Sequence, residues 1–522
     1  MKKFIVISLV SILVLAFGGT VYAQEKAPVL EFKASGFLDV ISEYNRNVTQ
    51  ALPGSRCADV LFGPASYLTP TGTSVEKAFN KKQSWMESRG RLRFDAIMGK
   101  EMMGTFLFEI DSLRWGERAP NTNDQRNYAG HWGVADRGAV EVKNMFITFG
   151  VPVVPVPITV QAGIHPMYIR PEMFLATEGP GVTAAVKIDP VTIKLMWFKA
   201  LENEIYAADD VDFYGIEANA KIQTLTIGGY AVNVNSNTYP QTYATKISGT
   251  TILPGTDETS TVDYQANMWW FGLYADGKVG PVNLNLDFAL DHGKIVDHRN
   301  LAARARDVKF DGWQFIGKVS YPIEKLNVGA QFIYGSGADL KKTSANGLPG
   351  SIVANDASGT VTSSKVGIFV IPQGSEGSNF HSLIIDGNGV LNRGNSGYQP
   401  AAGDYMVRAA TGGLWFAKLF GSYQVLPTLK TTLEAYYVGD TTKNGNTIGN
   451  AVSSDGTPRN DKSVGFEFDL INELQIYKNL VFNFGGGYLI AGDAMDLRVG
   501  ATNTNKSPRD PWAIQTRLIY SF

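Results

Sequence analysis

The sequence predicts an all-β fold: a transmembrane, antiparallel, up-and-down β-barrel of about 18 strands, with about 16 as the alternative count. Three observations predict it. The chain ends on a period-two strand, strand candidates with one apolar and one polar face recur along it, and its connections alternate short and long. Residues Trp512 to Phe522 read W-A-I-Q-T-R-L-I-Y-S-F. Trp512, Ile514, Thr516, Leu518, Tyr520 and Phe522 share a greasy, aromatic-ended face, and Ala513, Gln515, Arg517, Ile519 and Ser521 share a mixed, mostly polar one. The length suits a tilted strand crossing a bilayer, which takes about 9–11 residues.

From the other end, Lys2-Lys3, an apolar run from Phe4 to Phe17 and the small-residue ending Val21-Tyr22-Ala23 read as a cleaved secretory signal over 1–23. No Cys sits at the cleavage point, which argues against a lipoprotein. Loss of Lys2 and Lys3 moves the formal charge from −2 to −4. The remaining 24–522 is expected to be one barrel. The full chain is rich in Gly (55), Tyr (22) and Phe (28), and its mean hydropathy is near zero. That suits a wall with an apolar outside and a wet inside. Cys57 is the one cysteine, so a disulfide framework is excluded. The near-neutral balance of 47 basic against 49 acidic residues gives no reason to invoke nucleic acid.

Within the chain, Val282, Leu284, Leu286, Phe288 and Leu290 alternate with Asn283, Asn285, Asp287 and Asp291. Leu326, Val328, Ala330, Phe332 and Tyr334 alternate with Asn327, Gly329 and Gln331, and Val464 to Leu470 behaves alike. Tight turns are expected near 99–104, 152–157, 189–190, 223, 280–281, 322–325, 427 and 477–479. Long polar loops are expected over about 47–83, 117–138, 168–178, 202–210, 236–261, 293–309, 339–407, 441–460 and 493–510. Strict alternation puts both chain ends on the short-turn side. The last strand should then close on the first, Leu30 to Asn45, because an unpaired edge in lipid costs several kcal/mol per group. Trp197, Trp313 and Trp512 fall on the apolar parity near the long-loop ends and suit an interfacial belt.

The sharpest polar constellation is on the second strand. Glu87, Arg89, Arg91, Arg93 and Asp95 share one face and Ser88, Gly90, Leu92, Phe94 and Ala96 the other. Each Arg on the lipid face would cost about 2–4 kcal/mol near mid-bilayer, so the row must face the lumen. Glu109 and Asp111 share the facing parity on the next strand. A turn centred on Glu101 would place Arg93 opposite Glu109 and Arg91 opposite Asp111, leaving Arg89 with Leu113. These five are the candidate pore lining, either setting selectivity or merely keeping the lumen wet. Trp85 and Trp115 fall on the luminal parity and are candidate sugar-stacking rings. Residues 116–138 and the 339–407 loop are candidate constrictions.

Catalysis finds no support. The five His are scattered, and neither Asp291-His292 nor Asp209, Asp210 and Asp212 supplies a nucleophile–base set. A metal site from Asp291, His292, Asp297 and His298 is equally unsupported, no haem motif is present, and no cofactor is implied.

The terminal strand, the loop parity and the Arg row next to carboxylates resemble the proteobacterial outer-membrane porins. The resemblance implies an integral protein of the bacterial outer membrane, in contact with its lipid and lipopolysaccharide. It further implies that Tyr520 and Phe522 are read by the barrel-assembly machinery, and assembly as a homotrimer, as in many porins. The implied function is passive diffusion of ions and small hydrophilic solutes, with no enzyme activity. Gly465 to Leu470, Gly485 to Tyr488 and Gly492-Asp493 resemble, more loosely, the alginate-export type of barrel, which implies a polysaccharide or sugar channel. The balanced charge departs from the electropositive interior of that family. A non-conducting surface or adhesion barrel, occluded by the 339–407 loop, is the third reading.

Overall fold

The computed structural model describes residues 29–47, 82–111, 115, 139–152, 154–171, 174–202, 210–237, 246–247, 250–251, 264–297, 308–339, 354–355, 361–363, 365–372, 382–385, 411–449, 451–499 and 502–522. The expected signal segment, Cys57 and the 116–138 constriction candidate lie outside them, as does most of the 339–407 loop.

The wall begins with β1 (Leu30–Arg46), β2 (Lys82–Met98), β3 (Met102–Asp111), β4 (Ala139–Gly150), β5 (Ile158–Ile169) and β6 (Leu175–Ile188). It continues with β7 (Val191–Leu201), β8 (Val211–Ile222), β9 (Leu225–Ser236), β10 (Tyr264–Val279), β11 (Val282–Asp297) and β12 (Trp313–Ile323). It ends with β13 (Leu326–Gly335), β14 (Leu414–Leu426), β15 (Leu429–Asp440), β16 (Ser463–Tyr477), β17 (Leu480–Ala491) and β18 (Trp512–Ser521). Each strand pairs antiparallel with the next. β18 closes on β1, Trp512 opposite Arg46 and Ser521 opposite Phe37. Phe522 and Gly36 exchange backbone hydrogen bonds of 2.9 and 3.0 Å, so the terminal residue completes the seam. The strand number is the expected eighteen, and the eight short turns fall where the sequence placed them. Gly99, Gly280, Gln223 and Glu324 take the positive φ that such turns require.

Side chains alternate across the wall as predicted. Leu38, Phe94, Phe106, Leu273, Leu419, Leu433, Phe468 and Ile514 are exposed on the outside. Toward the long-loop end the outer face carries aromatic rings. Trp313 stacks on Tyr334 at 4.7 Å, Trp415 and Phe466 flank Tyr437 at 5.1 and 4.7 Å, and Trp512 meets Tyr44 at 5.3 Å. This is an aromatic belt at one polar–apolar boundary.

One hairpin leaves the wall. β5 pairs with β4 only over Thr159–Ile164, and β6 with β7 only over Gly181–Ile188, so residues 165–180 pair with each other alone. The departure is at Gly163, φ +127°, where a Cβ would lie 2.4 Å from the Met145 carbonyl oxygen. Met167, Ile169, Phe174 and Leu175 are buried inside. His165 is buried at the hinge, its Nε2 2.9 Å from Thr183 Oγ1, between the rings of Phe146 and Phe198. The sequence had expected a loop over 168–178; the strands instead run to Ile169 and resume at Leu175. A hairpin inside the lumen has no lipid face, so it lacks the contrast that marks wall strands.

The interior has two halves. Toward the short-turn end, inward residues such as Lys33, Arg93 and Lys278 reach water. Toward the long-loop end, Asp39, Glu43, Trp270, Ala289, Ile333 and Tyr436 are buried. The lumen is a vestibule at one end and a packed interior at the other.

Gly163→Val should destabilise the barrel by about 1–3 kcal/mol, the usual cost of a strained backbone position. Gly104→Val, where nothing lies within 4 Å, should change little. Denaturant unfolding of the two variants measures this, and equal midpoints would contradict the hinge.

Candidate pore lining and internal stopper

The Arg row faces the lumen as predicted, with a different register. The β2–β3 loop is Gly99-Lys100-Glu101, closed by Met98 opposite Met102. Arg89 therefore lies opposite Asp111, Arg91 opposite Glu109 and Arg93 opposite Leu107. The expected pairs, Arg93 with Glu109 and Arg91 with Asp111, are thus displaced by two residues. Gly99, at φ +62°, allows the tighter turn, and a shift of two keeps every side chain on its face. Arg91 Nε donates to Glu109, whose other oxygen is 3.5 Å from Lys143 Nζ, and Lys143 also pairs with Glu178 of the inward hairpin. Arg93 Nε donates to both oxygens of Asp95 at 2.9 and 3.0 Å. Arg89, expected to be left over, is buried within electrostatic reach of Glu109. The side chain of its register partner Asp111 lies outside the described residues. Across the seam, Arg517 Nε donates to Asp39 at 3.1 Å and Gln515 to Glu43 at 3.1 Å.

The two tryptophans do not come together. Trp85 keeps the luminal parity, opposite Glu43. Trp115 lies against the outside of β2. Its backbone N–H donates to the Met86 carbonyl at 2.7 Å, its Nε1 donates to Ser88 Oγ at 2.9 Å, and the ring is 46% exposed. The expected luminal sugar-stacking pair is not formed. Trp115 stands beyond the end of β3, where strand parity no longer governs direction.

The remaining arc, β5 to β17, is lined toward the long-loop end by two apolar clusters. One joins the hairpin to Phe198, Phe213, Val232, Trp270 and Phe310; the other joins Ile316, Ile333, Phe416, Val438 and Leu489. Two strips of the loop between β13 and β14 are seated in them. Ile368, Phe369 and Val370 enter the first; Leu383, Ile384 and Ile385 are all but fully buried, the latter two in the second. Carboxylates of the wall hold their backbones. Asp291 accepts N–H from Val370 at 2.8 Å and from Gly312 at 2.7 Å, while Glu467 accepts from Ile384 at 2.8 Å and Ile385 at 3.2 Å. Asp469 accepts from Leu383 at 3.1 Å, and Trp270 Nε1 donates to the Val370 carbonyl at 2.8 Å. Burial is worth about 1.5–3 kcal/mol per large side chain, so six such residues bind the strips firmly. They form a stopper.

The hairpin tip is fastened as well. Arg170 donates to Asp287 at 2.6 Å and to Asp276, and lies 4.4 Å from the Tyr274 ring centre. Tyr274 Oη donates to Glu217 at 2.8 Å, which also pairs with Lys194. Sequence reasoning missed Arg170, Asp276 and the clamping role of Asp291, Glu467 and Asp469. The available signal was the pair of apolar runs, I-F-V-I at 368–371 and L-I-I at 383–385, in an otherwise polar loop.

Asp291 points inward and His292 outward, so the two cannot share a metal. Among the described residues no group of three His, Cys, Asp or Glu side chains could hold one. Asp210 and Asp212 pair with Lys199.

No family model matches the chain and no curated protein matches it. Similar solved structures include two from Pseudomonas aeruginosa. OccK8 (OprE) has 12% identity and a TM-score of 0.47, covering 94% of this chain and 98% of that one. OccK9 (OpdG) has 11% identity and the same TM-score and coverage. A loop-deleted OmpT, an outer membrane protein of Vibrio cholerae, has 8% identity and a TM-score of 0.37, covering 95% and 100%.

Arg170→Ala leaves Asp287 buried without its cation, a loss of about 3–5 kcal/mol for a broken buried pair. Arg170→Lys should recover part of it, because Lys has one charged head in place of a two-pronged fork. Thermal unfolding of the two variants measures the difference, and an Arg170→Ala barrel as stable as the parent would contradict the clasp.

Proposed function

We propose that this chain is an outer-membrane channel for passive diffusion of ions and small hydrophilic solutes, narrowed by its own loop. The closed wall, the apolar exterior and the aromatic belt support an integral membrane barrel. The observation that carries the channel reading is the polar arc. From β18 through β1 to β4, inward positions at the long-loop end include Asp39, Glu43, Asn45, Glu87, Arg89, Glu109, Asn144, Gln515 and Arg517, with Ile41 and Ala513 among them, whereas the opposite arc there is lined by the two apolar clusters and by the carboxylates that hold the strips. A solute path would follow that arc from the vestibule past the stopper. Charges along it are largely paired, as in Arg91–Glu109–Lys143–Glu178 and Arg517–Asp39, which favours weak selectivity. Arg93, 42% exposed at the vestibule end, is the member of the Arg row best placed to act on passing ions.

The buried strips favour a second reading, a barrel whose stopper blocks conduction. Planar-bilayer recording under a salt gradient separates the two. The channel reading expects small, steady conductance in the parent. Replacing Arg89, Arg91 and Arg93 with Ser should shift the reversal potential toward cations, and an unchanged potential would remove the row from any selectivity role. A silent parent, with conductance gained when residues 367–385 are replaced by a Gly-Ser linker, would establish the blocked barrel instead.

A further inference from the structure

The two strips of the stopper are held in different ways. The first is built into the wall. Lys365 and Val366 pair in parallel with Lys309 and Phe310, and the Phe369 N–H donates to the Ser336 carbonyl at 3.1 Å. A Cβ at Gly312 or Gly412 would clash with the carbonyl oxygen of Ile368 or Phe369. Backbone lies directly on backbone there, so this strip is part of the sheet. For Leu383 to Ile385 the wall bonds run instead to carboxylate side chains. The Leu383 N–H donates to Asp469 at 3.1 Å, the Ile384 N–H to Glu467 Oε1 at 2.8 Å and the Ile385 N–H to Glu467 Oε2 at 3.2 Å.

Consecutive N–H groups turned to one side make a concavity for an anion. The bend is closed within the strip, where Ser382 Oγ accepts from the Ile385 N–H at 3.2 Å. Glu467 and Asp469 stand two residues apart on β16, so both point inward at the bend. Ile316, Ile333, Phe416, Val438 and Leu489 supply apolar sides, against which Ile384 and Ile385 are fully buried. Gly487 makes the floor, because a Cβ there would clash with Asp469 and lie 2.9 Å from Leu383 Cβ. Nothing in these contacts requires the bound segment to be covalently attached.

We propose that this seat is a binding site for short apolar peptides, and that Ser382 to Ile385 are its tethered, exchangeable occupant. The ligand class follows from the occupant and from the seat. Consecutive free N–H groups are required, which excludes proline and N-alkylated residues at the two isoleucine positions. Branched aliphatic side chains fill the apolar sides. An acidic peptide is disfavoured. Asp469 already lies within electrostatic reach of Glu467 and Glu434, and Lys418 is paired with Glu434 at 2.9 Å. Binding of a peptide here requires no conduction, so it stands apart from the channel reading.

The test is fluorescence anisotropy on the full chain in detergent. The probe is acetyl-Ser-Leu-Ile-Ile-Lys-amide, labelled with fluorescein on its lysine. The comparison is the same peptide N-methylated at both isoleucines, no less apolar but without the two N–H groups. A variant with residues 382–385 replaced by Gly-Ser-Gly-Ser should bind the probe at least tenfold more tightly than the parent, whose own strip competes. N-methylation should weaken that binding at least tenfold. So should Glu467→Gln in the same background, because an amide offers one acceptor oxygen and turns a donor toward an N–H. If the replaced chain fails to fold, Ile384→Ser with Ile385→Ser loosens the strip instead, and the same differences are expected. Equal binding of the methylated peptide would mean partition onto any greasy surface and would overturn the site. A folded, strip-free barrel that binds the probe no better than the parent would overturn it too, leaving the strip a fixed plug.

Discussion

Everything in this molecule follows from the obligation to pair backbone N–H and C=O groups where there is no water. A sheet edge left in lipid costs several kcal/mol per group, so the wall has to close. Phe522 meets this requirement directly, bonding to Gly36 in both directions at the β18–β1 seam. The same requirement governs the exception. Residues 165–180 leave the wall as a paired hairpin, keep their own ladder, and end on a cation clasped by two carboxylates.

Inside the barrel the constraint is different. A tube this wide has to be filled or wetted, and this chain does both. At one end the inward side chains stand in water. At the other, the hairpin and two loop strips bring apolar side chains to apolar wall positions, and Asp291, Glu467 and Asp469 accept the N–H groups the strips carry in with them. The carboxylates meet backbone rather than side chains, so they fix where the strips sit without specifying their sequence.

The sequence was most informative where the environment alternates residue by residue. Strand number, turn positions, closure and the inward face of the Arg row were all legible because one side of the wall meets lipid and the other does not. Register was less so. Arg91 pairs with Glu109 because Gly99 allows the turn to tighten, and a two-residue shift leaves no trace in the pattern of faces. The filled half was hidden because neither face of the hairpin meets lipid and the strips are buried in protein. Trp115 was misplaced for a related reason: beyond the last paired residue, parity says nothing about direction.

The central claim, a wet vestibule joined to a packed outer half, is tested most directly by thiol accessibility. Single cysteines are placed in a Cys57→Ser background and treated with a charged, membrane-impermeant thiol reagent. The account predicts rapid labelling at Lys33, Arg93 and Lys278, with slow or absent labelling at Ala289, Ile333 and Tyr436. Equal, rapid labelling at both sets would mean that the lumen is open throughout and would contradict it.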